Sequence, residues 1–281
     1  MLMKMLEAAE MADVSVFQTT ERDLKNRISF TVAVKNSFTL AYRAWLKMLH
    51  NPESFMEMSI LPIMLTLLFT FLFGGAVSGS TADYLPVIIP GVLVMCCAMG
   101  CSTAGTLLRE DMNRGITKRL TSMPIARVSP VAGMLMIEII RYTIIGVVVF
   151  TLGFALGYRP EAGVVGVLGC IGLMVIAAWC LSWVFALMSV SVKTVSTAQT
   201  VGMVVMFPMA FLSNALVPVD TMPGWLQWVV DFNPLSHVVT AMRELLSTGA
   251  MGSEFLIALA GSLIVLAVFA PMTVRAYKRK A

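Results

Sequence analysis

Three ionisable side chains stand within long apolar runs, Glu57, Glu138 and Arg141. A charge in hydrocarbon is costly, so such groups are functional candidates by default. Proton relay is the chemistry they could serve, but a relay needs further acids or histidines deeper in the bundle, and the runs contain none. Glu138 and Arg141 are three residues apart near the start of their run, where they can face one another on one helical side. Both can also reach the inner headgroups by snorkelling. The interfacial reading is therefore preferred, and a proton-coupled secondary transporter is disfavoured.

Other chemistries fail on spacing. No lysine follows a glycine, so the phosphate-cradling loop ending in Gly-Lys-Ser or Gly-Lys-Thr cannot be formed and this chain is expected to bind neither ATP nor Mg by that route. No Cys-x-x-Cys and no histidine pair at ligand spacing occurs, so a metal site or metalloprotease is not expected. Cys96, Cys97, Cys101, Cys170 and Cys180 all lie in apolar segments, where a thiol behaves as a small hydrophobe.

These residues must be positioned by membrane helices. Of 281 residues, 58% are apolar and 13% charged, against roughly 45 to 50% and about 25% in soluble domains. Six runs reach the roughly 20 residues needed to cross a bilayer: 54–76, 84–108, 131–157, 162–190, 198–217 and 255–274. The first thirty residues hold five acids and no continuous apolar run, so no cleavable signal peptide is expected. With both termini in the cytoplasm, 17 of the 20 lysines and arginines fall inside; Arg159 and Arg243 fall outside, and Arg141 lies in a span. The positive-inside rule selects that orientation.

Before the first run, Phe30, Val34, Phe38, Tyr42, Trp45 and Leu49 recur at helical spacing, while Lys35, Arg43 and Lys47 line another face. The pattern predicts an amphipathic helix at the headgroup boundary of an anionic leaflet, ended by Asn51 and Pro52. A role limited to anchoring is the alternative. The connection 218–254 is too long for a turn and too apolar for a wetted loop. Pro223 suits a helix's first turn, Trp225 and Trp228 suit an interface, and Asn233-Pro234 divides two pieces too short to span. A re-entrant helical hairpin entering from the outer face is expected there, with a single surface flap as the alternative.

In the connection 109–130, Arg109, Glu110, Asp111 and Arg114 keep the chain in water, Gly115 permits a sharp entry and Pro124 can stop a short helix. Ile116, Leu120 and Met123 give that helix a small apolar face. Such an element is suited to seat in a groove on a partner and pass movement to the spans it joins. The alternative is that its charges serve orientation only.

Three motifs, the basic helix ending at Asn51-Pro52, the run from Arg109-Glu110-Asp111-Met112-Asn113-Arg114-Gly115 through Leu120 to Pro124, and the stretch with Pro218, Met222-Pro223, Asn233-Pro234-Leu235 and Arg243, resemble the membrane subunits of type-2 ABC exporters, in particular the daunorubicin-resistance branch of drug-export permeases. The chain departs from that pattern at Ile116 and Lys118, where the branch often has threonine and an acid. The resemblance implies a permease that dimerises, pairs with two copies of a separate ATPase subunit carrying ATP and Mg, and moves a hydrophobic substrate outward through the cell membrane. It also implies that the second connection couples to the ATPase, that the surface helix joins that contact and that the outer hairpin caps the path.

The expected fold is thus an all-α polytopic membrane protein, with a cytoplasmic N-terminal segment over 1–52 and a six-span permease domain over 53–281. Membrane lipid is an expected partner and nucleic acid is not. Drug or antibiotic export leads; export of a lipid or glycan-lipid, and a non-transporting scaffold or sensor subunit, stand as alternatives. A passive channel lacks any filter sequence. The 23 methionines suit either an adaptable apolar path or helix packing.

Overall fold

The computed structural model describes residues 30–50, 52–116, 129–216 and 222–280, and every regular element among them is helical. Helix α1 spans Phe30–Leu49. A short α2 (Pro52–Phe55) runs through a π-helical turn (Met56–Ile60) into α3 (Leu61–Ser78). The π turn has a local cause. Pro62 has no amide hydrogen to offer the preceding turn, and the ladder resets by one residue as the Leu61 amide donates to the Met56 carbonyl.

Helix α4 covers Thr81–Asn113, capped by Ser80, whose hydroxyl accepts the Asp83 amide at 3.1 Å. Its 33 residues extend about 50 Å at 1.5 Å per residue, well beyond a hydrocarbon core of roughly 30 Å. It is also the buried axis of the bundle: Ile88, Ile89, Val92, Leu93, Val94, Cys97 and Cys101 have no exposed surface. Around it stand α3, α5 (Ser129–Ala155), α6 (Gly163–Ser191) and α7 (Val195–Phe211). Two shorter helices, α8 (Gly224–Asp231) and α9 (Pro234–Thr248), precede the last, α10 (Ser253–Lys280).

Among the described residues, five helical stretches are long and apolar enough to cross a membrane: Phe55–Gly75, α4, α5, α6 and α10. Expected run 198–217 is shorter as a helix. Helix α7 ends at Phe211 after 17 residues, about 25 Å, and the chain then turns through Ser213 and Asn214, residues whose side chains compete with the helical ladder. The outward faces carry Phe71, Leu72, Leu168, Val204 and Ile264, all well exposed, as expected of helices that face lipid rather than water.

Side-chain locks order the two ends of the bundle. At one end, Lys280 donates its ammonium to the carbonyls of Val190 (2.8 Å) and Ser191 (2.6 Å), and Arg109 donates from Nη2 to that of Lys193 at 2.5 Å. These cations satisfy carbonyls left open where α6 stops. At the other end, the Ala162 amide donates to the Leu246 carbonyl, and the Tyr84 hydroxyl donates to that of Leu216 at 2.8 Å. Helix α1 crosses the start of α5 at Gly133, where a Cβ would meet the Ser37 carbonyl oxygen at 2.7 Å and Leu40 Cβ at 2.8 Å. Only glycine admits that approach.

Candidate functional site

Three groups of residues carry the functional candidates. The first is at the Arg109 end. Arg109 braces the turn between α6 and α7 as described, and Arg114 pairs with Glu110 one helical turn away at 2.5 Å on an exposed surface. Such a surface pair is worth at most about 1 kcal/mol, so it orders the end of α4 without dominating its stability. Gly115 has φ +71°, the left-handed angle that ends a helix and turns the chain. Leu120 and Pro124, the remaining coupling residues, lie outside the described residues, as do Asn51 and Pro218.

On α1, the face toward α5 holds Ser37, Ala44, Trp45 and Met48, while Phe38, Tyr42, Leu46 and Leu49 point away and are exposed. Arg43 is exposed beside that apolar face. Lys35 and Lys47 fall on the α1 backbone, and their side chains lie outside the described set. The helix is therefore amphipathic in a three-sided sense, with one face on the bundle and an apolar face left over.

The second group is the intramembrane charges, and here the interfacial expectation is overturned. Glu138 and Arg141 do not snorkel; each is 1% exposed, and Arg141 Nη1 lies 3.3 Å from Glu138 Oε2. Nine residues of α5 precede Glu138, and α1, the π turn, α4 and α6 pack around α5, so packing encloses the pair before either side chain can reach a headgroup. Glu57, in the π turn, accepts a hydrogen bond from the Thr103 hydroxyl at 2.7 Å and is close enough to act electrostatically on both members of the pair. Beside them the Tyr142 and Ser182 hydroxyls share a hydrogen bond of 2.7 Å, with the Cys101 thiol 3.3 Å from Tyr142. This polar layer ties the π turn, α4, α5 and α6 together. Tyr142, Ser182 and Thr103 were not singled out in the sequence, since hydroxyls in apolar helices commonly bond their own backbone.

The third group surrounds Arg243. Its Nη2 donates to the carbonyls of Val87 (3.0 Å) and Asn214 (2.9 Å), so α9 is pinned to α4 and to the turn after α7. Asn214 Nδ2 donates to Thr240 Oγ1 at 2.8 Å. The turn seats closely enough on α4 that a Cβ at Gly91 would collide with the Ala215 carbonyl. Asn233 works in both directions. Its Oδ1 accepts the Leu235 amide at 3.0 Å and caps α9, while its Nδ2 donates to the carbonyls of Met209 (2.7 Å) and Leu212 (2.9 Å) at the end of α7. Pro234 follows at the first helical position, where a missing amide hydrogen costs nothing.

Pro223 is the N-cap of α8 rather than part of its first turn; its ψ of 145° is extended, and Gly224 begins the helix. Trp225 and Trp228 are about 70% exposed and share a face of α8 with Phe232, whose ring lies 5.8 Å from Trp228. On the loop before α6, burial pushes the Tyr158 phenol up to about 12, so it is neutral at physiological pH. No group of three or more metal-ligating side chains is found among the described residues, and the five cysteines are free and buried.

Residues 36–247 match the ABC-2 type transporter family. The chain is 35% identical over 248 residues, 88% of each chain, to the daunorubicin resistance ABC transporter permease protein DrrB1 of Streptomyces coeruleorubidus. It is 27% identical over 207 residues, 73% of each chain, to the "Probable doxorubicin resistance ABC transporter permease protein DrrC" of Mycobacterium tuberculosis.

Proposed function

The chain belongs to the ABC-2 type transporter family, and from that premise we propose that it is the permease subunit of an ATP-driven exporter whose substrate is a hydrophobic drug or antibiotic. The observation that carries this reading is the likeness, over most of the chain, to permeases named for daunorubicin and doxorubicin resistance. Two copies of the permease would pair with two copies of a separate ATPase that holds ATP and Mg; this chain carries no phosphate loop.

In this reading the protein crosses the cell membrane six times, with 1–52 as a cytoplasmic segment, 53–281 as the permease domain and both termini inside. Support comes from the meeting of Arg109, Lys193 and Lys280 at one end of the bundle, where the positive-inside rule wants them. Helix α7 makes the fifth of these crossings together with the turn held by Arg243. Helices α8 and α9 form the outer re-entrant hairpin: the start of α9 is bound to the end of α7 while its C-terminal end reaches Ala162. Backbone that stops inside a bilayer must be satisfied by protein, and the side chains of Asn233 and Arg243 supply those partners. The 109–130 connection is the coupling element, with α1 beside it at the membrane surface.

The test is transport by the permease reconstituted with its cognate ATPase in vesicles. ATP-dependent movement of an anthracycline toward the face opposite the ATPase is expected. An assembled complex that hydrolyses ATP but moves only a lipid or glycan-lipid would overturn the drug assignment, and a chain that recruits no ATPase would overturn the exporter.

A further inference from the structure

Helices α6, α9 and α10 do not close fully on one another. Between them is an open apolar cleft of about 120 Å³, walled by Ala177 and Leu181 of α6, Leu235 and Val238 of α9, and Ala258 and Gly261 of α10. Small residues leave the space: a Cβ built on Gly261 would meet nothing within 4 Å. The flank of the cleft on α10 faces lipid, since Ile257 at its edge and Leu256 and Ile264 beside it are well exposed. An apolar cavity of about 150 Å³ takes up one benzene ring, so the cleft is of ring size.

One end of the cleft is polar. His237 is part of the wall, and its Nδ1 lies 3.0 Å from Glu254 Oε2. Glu254, Ala258, Gly261 and Val265 follow at four-, three- and four-residue spacing along α10, so the carboxylate stands on the lining face, about one turn beyond the apolar wall. Its side chain is 29% exposed, and its Oε1 has no partner among the described residues. A carboxylate accepts on both oxygens, so a second donor can be received there while His237 keeps Oε2.

The charge around this mouth decides what kind of molecule fits. From 224 to 274 the acids are Asp231, Glu244 and Glu254, and the only lysine or arginine is Arg243, whose Nη2 is turned to the carbonyls of Val87 and Asn214. Helix α6 carries no charge. A phosphate or carboxylate headgroup entering beside α10 therefore finds acids and no free cation, whereas an ammonium finds Glu254. Apolar walls with a few convergent polar groups are the usual form of a small-molecule site.

We propose that the cleft between α6, α9 and α10 is a binding site for lipophilic amines, entered from the bilayer beside α10, with the apolar body against Val238, Ala258 and Gly261 and the ammonium on Glu254. The site holds whether or not the bound amine is exported.

The test photolabels the complete permease with its ATPase in phosphatidylcholine vesicles, using three probes that share a diazirine-bearing phenyl ring and end as a benzylamine, a benzyl alcohol or a benzoate. Attachment sites are read by peptide mass spectrometry and are expected on α6, α9 and α10 around Gly261. The amine should label there about fivefold more than the alcohol, the ratio given by about 1 kcal/mol of charge pairing, and the benzoate less than either. Glu254→Gln should bring the amine down to the level of the alcohol and leave the alcohol unchanged, which a loss of fold would not do. Gly261→Leu should fill the cleft and remove labelling by all three. The comparison of probes on the unsubstituted chain decides the matter even if a variant fails to fold. Equal labelling by the three would make the cleft a groove for bilayer chains, and no labelling in the assembled complex would make it a surface covered by a second copy. Either result overturns the amine site, as does an amine preference that survives Glu254→Gln or labelling that survives Gly261→Leu.

Discussion

Replacing Asn233 separates two jobs performed by one side chain. In Asn233→Ala the α9 cap is lost, costing about 1 kcal/mol, and the Met209 and Leu212 carbonyls lose their donor, at about 1 kcal/mol for each hydrogen bond. The sum is about 3 kcal/mol, applied where the side chain is largely buried. Asn233→Asp keeps an acceptor for the Leu235 amide, so a cap-only account makes it the milder change. The structure requires the reverse, because the carboxylate would replace the Nδ2 donor with an acceptor facing two carbonyl oxygens. Thermal unfolding in detergent, monitored with a thiol-reactive dye on the buried cysteines, should show the alanine variant about 6 to 12 °C below the parent. The aspartate variant should lie lower still. An aspartate variant more stable than the alanine variant would refute the assignment of both donors to the end of α7.

Further outcomes follow from the same contacts. Glu138→Leu or Arg141→Leu alone leaves a buried charge unpaired and should cost about 3 to 5 kcal/mol, whereas the double leucine variant should recover much of the loss; equal instability of the double variant, measured in the same assay, would contradict the pairing. Single cysteines at Gly224 and Gly249 should both react with an impermeant reagent from outside the cell, and one at Lys278 should not. Leu120→Asp should insert and dimerise normally yet lose ATPase association in a detergent pull-down, and normal association with normal export would remove the coupling role from that connection.

The helical class and the family were legible because they rest on patterns that survive without coordinates. Run length reports a crossing, the distribution of lysine and arginine reports a side, and Asn233-Pro234 reports a helix start. Burial of Glu138 and Arg141 was not legible. Their positions near the start of a run suit an interface equally well, and only the packing of α1, the π turn, α4 and α6 around α5 decides that they are enclosed. The same reason hides Thr103, Tyr142 and Ser182, whose partners lie 40 or more residues away. The early end of α7 was also unreadable from hydropathy, because the turn after it keeps Leu212, Ala215 and Leu216, apolar residues that extend the run while the backbone leaves the helix.

The uninterrupted length of α4 has a mechanical meaning. Its C-cap at Arg114 and its contact with Ala215 at Gly91 are separated by 23 residues, a rod of about 35 Å. A tilt of about 5° about Thr103, roughly 18 Å along the helix from Gly91, displaces Gly91 by about 1.6 Å. A Cβ at Gly91 would lie 1.7 Å from the Ala215 carbonyl oxygen, so a tilt of that size acts directly on the close contact between α4 and the turn that Arg243 holds. The axle of the bundle is also its lever arm, and the fulcrum is the polar layer at Thr103.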